Sequence, residues 1–212
     1  MVGTTCPSIE SAVLDAKIRD FYDHKMRPVG DWLARSGLNP DVISVTGIGL
    51  QVVVAVAILR GNLFLAGLVA ILGGVADSLD GAVAKARGIT SPFGALLDST
   101  LDRLSDALLF APLGWLYAFP PGGSGAGGSW VTALALVALV ASFLVSYVKA
   151  RAEGLGFSCN VGIVERAERL ILVVAGLLFD VVPLMLAILA ILSIITFLQR
   201  LLYVRAQIQS SV

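Results

Sequence analysis

Apolar residues fill long runs of this chain, and polar residues collect in the gaps between them. A helix that crosses a bilayer needs roughly 20 mostly apolar residues. Residues 42–59, 62–84, 93–119, 130–148, 164–179 and 184–203 each meet or approach that length. The pattern predicts an all-α membrane protein with six transmembrane helices. Asp180-Val181-Val182-Pro183 parts the last two runs, and PPGGSGAGGS (120–129) reads as a flexible uncharged loop. Ahead of the first run, Val13, Leu14, Ile18, Phe21 and Tyr22 recur at spacings of three and four among charged neighbours. That periodicity predicts an amphipathic helix lying on the membrane surface. The expected organisation is an interfacial segment at 1–40, a six-helix domain at 41–205 and a tail at 206–212.

Composition agrees with this picture. Hydrophobic residues make up 57% of the 212, charged residues only 14%, and the formal net charge is zero; mean hydropathy is +0.89. A zero balance gives no bulk attraction to nucleic acid, so none is expected as a partner. Residues 1–40 carry many charges and no apolar core, so they do not read as a signal peptide. Cys6 and Cys159 are far apart and read as free thiols, and the single His24 sits in a charged stretch.

Six spans put both termini on one side. Of the fifteen Lys and Arg residues, all but Arg60 then fall on the side of the termini. The positive-inside rule makes that side cytoplasmic and the location a multi-pass protein of the cell (inner or plasma) membrane.

The polar residues that break the pattern are acids. Five aspartates occur between residues 77 and 106, at the end of the second run and in the first half of the third. Asp77 and Asp80 are three apart; Asp98 and Asp102 are four apart. On a helix these spacings separate side chains by about 60° and about 40°, so each pair shares a face. The 81–97 connection is short enough for the two helices to be neighbours, which would bring four carboxylates together near the cytoplasmic end. Uncompensated, they would repel. A hard divalent cation is the fitting counter-charge, and Mg²⁺ in particular binds between carboxylates and substrate phosphates. Four aspartates suffice for two ions. Asp106 continues the face by one turn and reads as a supporting or structural residue. Helix caps and surface ion pairs would account for one such aspartate but not for two spaced pairs. Gly81 and Gly94 allow close approach of ligand or helix, whereas Gly73 and Gly74 read as helix packing.

The stretch Asp77-x2-Asp80-Gly81-x2-Ala84-Lys85-x8-Gly94-x3-Asp98-x3-Asp102 resembles the CDP-alcohol phosphotransferase signature, D-x2-D-G-x2-A-R-x8-G-x3-D-x3-D. Every spacing agrees. The departure is Lys85 where the family has Arg, which keeps the charge and loses the planar fork; Arg87 lies two residues on. LNPDVIS (38–44), SYVKARAEGLG (146–156), VERAERLI (164–171) and QRL (199–201) resemble the actinobacterial branch of the family that makes phosphatidylinositol phosphate. The likeness runs from about residue 30 to 203.

The resemblance implies a six-helix fold, usually homodimeric, with a polar cavity open to the cytoplasm and two Mg²⁺ (or Mn²⁺) ions. It implies that Asp77, Asp80, Asp98 and Asp102 bind metal and that Asp102 is the general base. For the CDP group it points to Asn39, Asp41, Gly81, Ala84, Lys85, Arg87 and Ser91. Asn39-Pro40-Asp41 is also a good helix start in its own right.

The acceptor is read from basic residues. Lys149, Arg151, Arg169 and Arg200 lie at the cytoplasmic helix ends, and guanidinium groups bind phosphate bidentately. They suggest an anionic acceptor, although basic residues at such ends also occur without any ligand. Lys149 and Arg151 point about 200° apart on a helix. The expected reaction joins inositol 1-phosphate to CDP-diacylglycerol (or CDP-archaeol) and releases CMP. Glycerol 3-phosphate, the acceptor of a phosphatidylglycerol phosphate synthase, fits the same charges. A cation transporter is the rival of another class. Intramembrane acids of transporters usually lie near the midplane on broken helices, whereas these cluster toward one side beside cations.

Overall fold

The computed structural model describes residues 40–87, 92–120, 128–159, 161–163 and 166–210, with 40–45, 76–87 and 166–167 described by their backbone alone. The interfacial helix expected in residues 1–40 lies outside the described residues, apart from Pro40. Among the described residues the chain is all-helical, without strands. In order the helices are α1 (Pro40–Leu59), α2 (Leu63–Arg87), α3 (Pro92–Ala118), α4 (Ser129–Gly154), α5 (Arg166–Leu178) and α6 (Val182–Ser210). Each coincides with one apolar run. Helix α6 continues into the residues expected as a tail, as far as Ser210.

Local chemistry explains where the helices stop. Gly61, at φ 74°, ends α1. The Gly61 N–H donates to the Ile58 carbonyl (2.8 Å) and the Asn62 N–H to the Ala57 carbonyl (2.9 Å), the two bonds of a Schellman motif. Asn62 then opens α2 by accepting the Leu65 N–H on its side-chain oxygen (3.1 Å). Gly156, at φ 85°, ends α4 in the same way, with the Phe157 N–H reaching the Ala152 carbonyl at 3.0 Å. Asp180 takes the left-handed conformation (φ 54°) between α5 and α6, which an aspartate tolerates better than most residues.

The packing pairs are α1·α2, α2·α5, α5·α6, α6·α4, α4·α3 and α3·α1. These pairs close a ring in which each helix touches two others. The acid-bearing α2 and α3 both lean on α1; the acid-bearing end of α2, where the two were expected to be neighbours, is described by its backbone alone.

The core occupies one half of the bundle. Ile58 and Val54 come from the end of α1, Leu109, Phe110 and Leu113 from the second half of α3, and Val173 and Leu177 from α5. They meet Ala66 and Ala70 at the start of α2, Ala135 and Ala138 of α4, and Leu186 and Leu189 of α6. Ends of odd helices thus pack with beginnings of even ones, the pattern of an up-and-down bundle. Small residues allow close approach: a Cβ on Gly67 would stand 2.8 Å from Leu178 Cδ2. Gly74, expected to be a packing residue, faces Leu170 in the same α2–α5 seam.

The outer surface is apolar. Leu136, Val140 and Phe143 on α4 and Leu184, Ile191 and Leu198 on α6 are exposed. Helices α4 and α6 are long and apolar enough to cross a membrane, yet only 33% and 39% of their apolar stretches are buried in the bundle. A soluble core helix would bury most of such a stretch.

Candidate active site

The half of the bundle opposite the core holds the polar side chains. Helix α3 has 27 residues, about 40 Å of length. That exceeds the roughly 30 Å hydrocarbon thickness of a bilayer. Asp98 and Asp102 lie in the first half of α3, and Asp106 stands at its midpoint. Asp98 is exposed, and Asp102 retains 25% of its side-chain surface. The basic neighbour Arg103 donates Nη1 to the Ser99 carbonyl at 2.6 Å and lies 3.6 Å from Asp102. At that distance and exposure the pair is weak. Asp98 makes no ion pair with a described residue.

One turn after Asp102, Asp106 faces a different environment. Its Oδ2 accepts from the Ser142 hydroxyl on α4 and from Arg169 Nη1 on α5, and the Arg169 nitrogen is also 2.6 Å from Ser142 Oγ. Both charged side chains are largely buried, at 13% and 16% of their surface exposed. Arg169 Nε is buried and has no partner among the described residues. Arg169, a residue expected at the acceptor phosphate, thus reaches from α5 to the stretch of α3 that carries the acids. Ser142 was not anticipated. Its one trace in the sequence is a hydroxyl inside the apolar run ALVASFLVSY, where an intramembrane polar residue needs a partner.

The other basic residues differ in setting. Lys149 is half-buried and Arg151 exposed, on different faces of α4 as their spacing requires. Arg200 is 6% exposed. Its Nε donates to the Val161 carbonyl at 2.8 Å and its Nη1 to the Val145 carbonyl at 2.9 Å. Arg200 therefore ties α6 to α4 and to the α4–α5 connection. Thr196, one turn earlier, accepts the Ile163 N–H in the same connection (3.3 Å), and Gln207 donates to the Ser158 carbonyl (2.7 Å). Cys159 in this connection is fully buried, and burial pushes its thiol pKa up against the lowering influence of Arg200 and Lys149.

Asp77, Asp80, Gly81, Ala84, Lys85 and Arg87 fall on the last turns of α2, and Asp41 on the first turn of α1; their side chains lie outside the described residues. Asn39 and Ser91 also lie outside them. The donor set offered by α2 and α3 is all carboxylate. It fits a hard divalent cation and would not suit a soft one.

Comparison with known proteins bears on this arrangement. The CDP-alcohol phosphatidyltransferase family matches residues 38–204. The chain is 38% identical over 195 residues to the phosphatidylinositol phosphate synthase of Mycobacteroides abscessus, covering 88% of this chain and 86% of that protein. It is 36% identical over 187 residues to the archaetidylinositol phosphate synthase of Pyrococcus horikoshii, covering 87% and 93%. Among solved structures it is similar to Mycobacterium tuberculosis phosphatidylinositol phosphate synthase with CDP-DAG bound: TM-score 0.75, 36% identity, 84% of this chain and 92% of that one. The same enzyme in complex with manganese and citrate gives a TM-score of 0.74 at 36% identity, covering 84% and 88%. The two spaced aspartate pairs, the all-helical bundle and these likenesses agree, and the chain belongs to the CDP-alcohol phosphatidyltransferase family, transferases of phospholipid biosynthesis.

Proposed function

We propose that this enzyme transfers the phosphatidyl group of CDP-diacylglycerol, or the equivalent group of CDP-archaeol, to inositol 1-phosphate and releases CMP. The observation that carries this reading is the placement of Arg169 against Asp106, one turn from Asp102, in a chain 36–38% identical to synthases of inositol phospholipid phosphates. A cation held close to the acids suits an acceptor that is itself an anion. A cation-transporting path would be opposed by the same charge. Glycerol 3-phosphate remains the runner-up acceptor on charge alone.

In this reading all six helices span the cell membrane with both termini cytoplasmic. The 1–40 segment lies at the interface, and a second copy of the chain completes a homodimer. Asp77, Asp80, Asp98 and Asp102 hold two Mg²⁺ ions, which supply charge neutralisation on the pyrophosphate. Asn39, Asp41, Gly81, Ala84, Lys85, Arg87 and Ser91 border the cytidine diphosphate. Lys149, Arg151 and Arg169 receive the acceptor phosphate. Arg200, with Nε and Nη1 committed to backbone carbonyls, contributes by its Nη2 and by holding the α4–α5 connection in place. The acceptor hydroxyl attacks the phosphorus that bears the diacylglycerol. Asp102 takes the hydroxyl proton, and the bond from that phosphorus to the CMP oxygen breaks.

The test is CMP release by purified protein with CDP-diacylglycerol and Mg²⁺, with inositol 1-phosphate, glycerol 3-phosphate, inositol and serine supplied in parallel. Release with inositol 1-phosphate alone is expected. Release with glycerol 3-phosphate alone would replace the acceptor, and release with none would sink the assignment of substrates.

A further inference from the structure

Helices α3 and α5 occupy opposite positions in the ring of six. A charged side chain reaches from one to the other. Arg169, in the first turn of α5, reaches Asp106 on α3 and Ser142 on α4 through one nitrogen, Nη1. Both acceptors converge on that nitrogen, while Nε is buried with no partner among the described residues. A guanidinium held for stability alone would be expected to satisfy its buried donors. Here Nη1 is fixed and Nε is left without an acceptor among the described residues. Asp106 lies about 6 Å along the α3 axis from Asp102.

We propose that Asp106 and Ser142 are positioning residues for the acceptor. They orient Arg169 across the ring so that its Nε receives the phosphate of the acceptor alcohol within reach of Asp102. Ser142 adds direction: its hydroxyl donates to Asp106 and accepts from Arg169, so neither oxygen nor guanidinium can rotate without losing a bond. The inference rests on the reading of Arg169 as a phosphate ligand and adds the pair that makes it one.

The experiment is steady-state CMP release by the full-length protein in nanodiscs, with the two substrates varied separately. Asp106→Asn should raise KM for inositol 1-phosphate about tenfold or more, the effect of one charge-assisted bond. KM for CDP-diacylglycerol should stay within about twofold. Ser142→Ala should move the same KM in the same direction by a smaller factor, and it carries the test if Asp106→Asn does not fold. Asp106→Asn combined with Arg169→Gln should be no worse than Arg169→Gln alone, since both remove one interaction. Unchanged KM for inositol 1-phosphate in a folded variant, or an equal loss for both substrates, would overturn the positioning role and leave the proposed reaction standing. A wild-type protein that releases no CMP with any phosphorylated alcohol would instead overturn the reaction itself, and the positioning role with it.

Discussion

Arg200 on α6 donates Nη1 to the carbonyl oxygen of Val145 on α4 at 2.9 Å, with only 6% of the residue exposed. The contact joins two helices of the bundle, and the second bond, to Val161, extends the tie to the α4–α5 connection. Lysine at this position would keep the charge and lose the fork. Arg200→Lys should therefore cost about 2 kcal/mol of stability, measured as a lowered midpoint of thermal or denaturant unfolding. A variant as stable as the parent would show that these bonds are not held in the folded protein.

Asp102→Asn should act on chemistry and leave the fold intact. Its side chain keeps 25% of its surface, and the amide has the shape of the carboxylate it replaces. Loss of a general base lowers turnover by about 10²–10⁴. CMP release should fall by that order while the unfolding midpoint is unchanged. Residual turnover near the parental level would move the base to another residue.

Chelation should silence the enzyme reversibly. A carboxylate-only donor set holds hard divalent ions and has no thiolate or imidazole to retain them against a chelator. EDTA followed by Mg²⁺ or Mn²⁺ should abolish and then restore CMP release. Full activity after exhaustive chelation would argue against a metal in the reaction.

The glycines of the bundle should separate by what surrounds them. A Cβ on Gly176 would stand 2.6 Å from both Cβ and Cγ of Met185, so Gly176→Ala must push α5 from α6 and should cost about 1–3 kcal/mol. At Gly73 the nearest atom is 3.8 Å away, and Ala there should be neutral or slightly stabilising through helix propensity. Unfolding midpoints of the two variants measured together give the contrast; equal effects would contradict the close α5–α6 approach.

Cys159 should be inert in the folded protein. A thiol pKa raised by burial keeps the group protonated near neutral pH, and the thiolate is the reactive species. In a Cys6→Ser background, maleimide should label Cys159 slowly in native protein and rapidly in denaturant. Labelling that is fast before denaturation would place the α4–α5 connection in contact with solvent.

Much of this molecule was legible in its sequence because the signals were local. Apolar runs marked the six helices. The aspartate spacing put Asp98 and Asp102 on one side of α3 by helical geometry alone. What escaped was non-local. Arg169 finds its partner 63 positions away, at Asp106, through a contact that exists only once six helices have closed a ring. Arg200 read as an acceptor-phosphate ligand at a cytoplasmic helix end; only the tertiary structure shows it buried against two carbonyls.

The confinement of the hydrophobic core to one half of the bundle has a kinetic consequence. On the proposed reaction, an enzyme anchored by its apolar half meets its two reactants in different phases. The lipid donor arrives by lateral diffusion and counts as a mole fraction of the bilayer, whereas the water-soluble acceptor counts as a molar concentration. Diluting the donor with inert phospholipid at fixed total donor should then slow turnover, and diluting the whole suspension with acceptor-containing buffer should not.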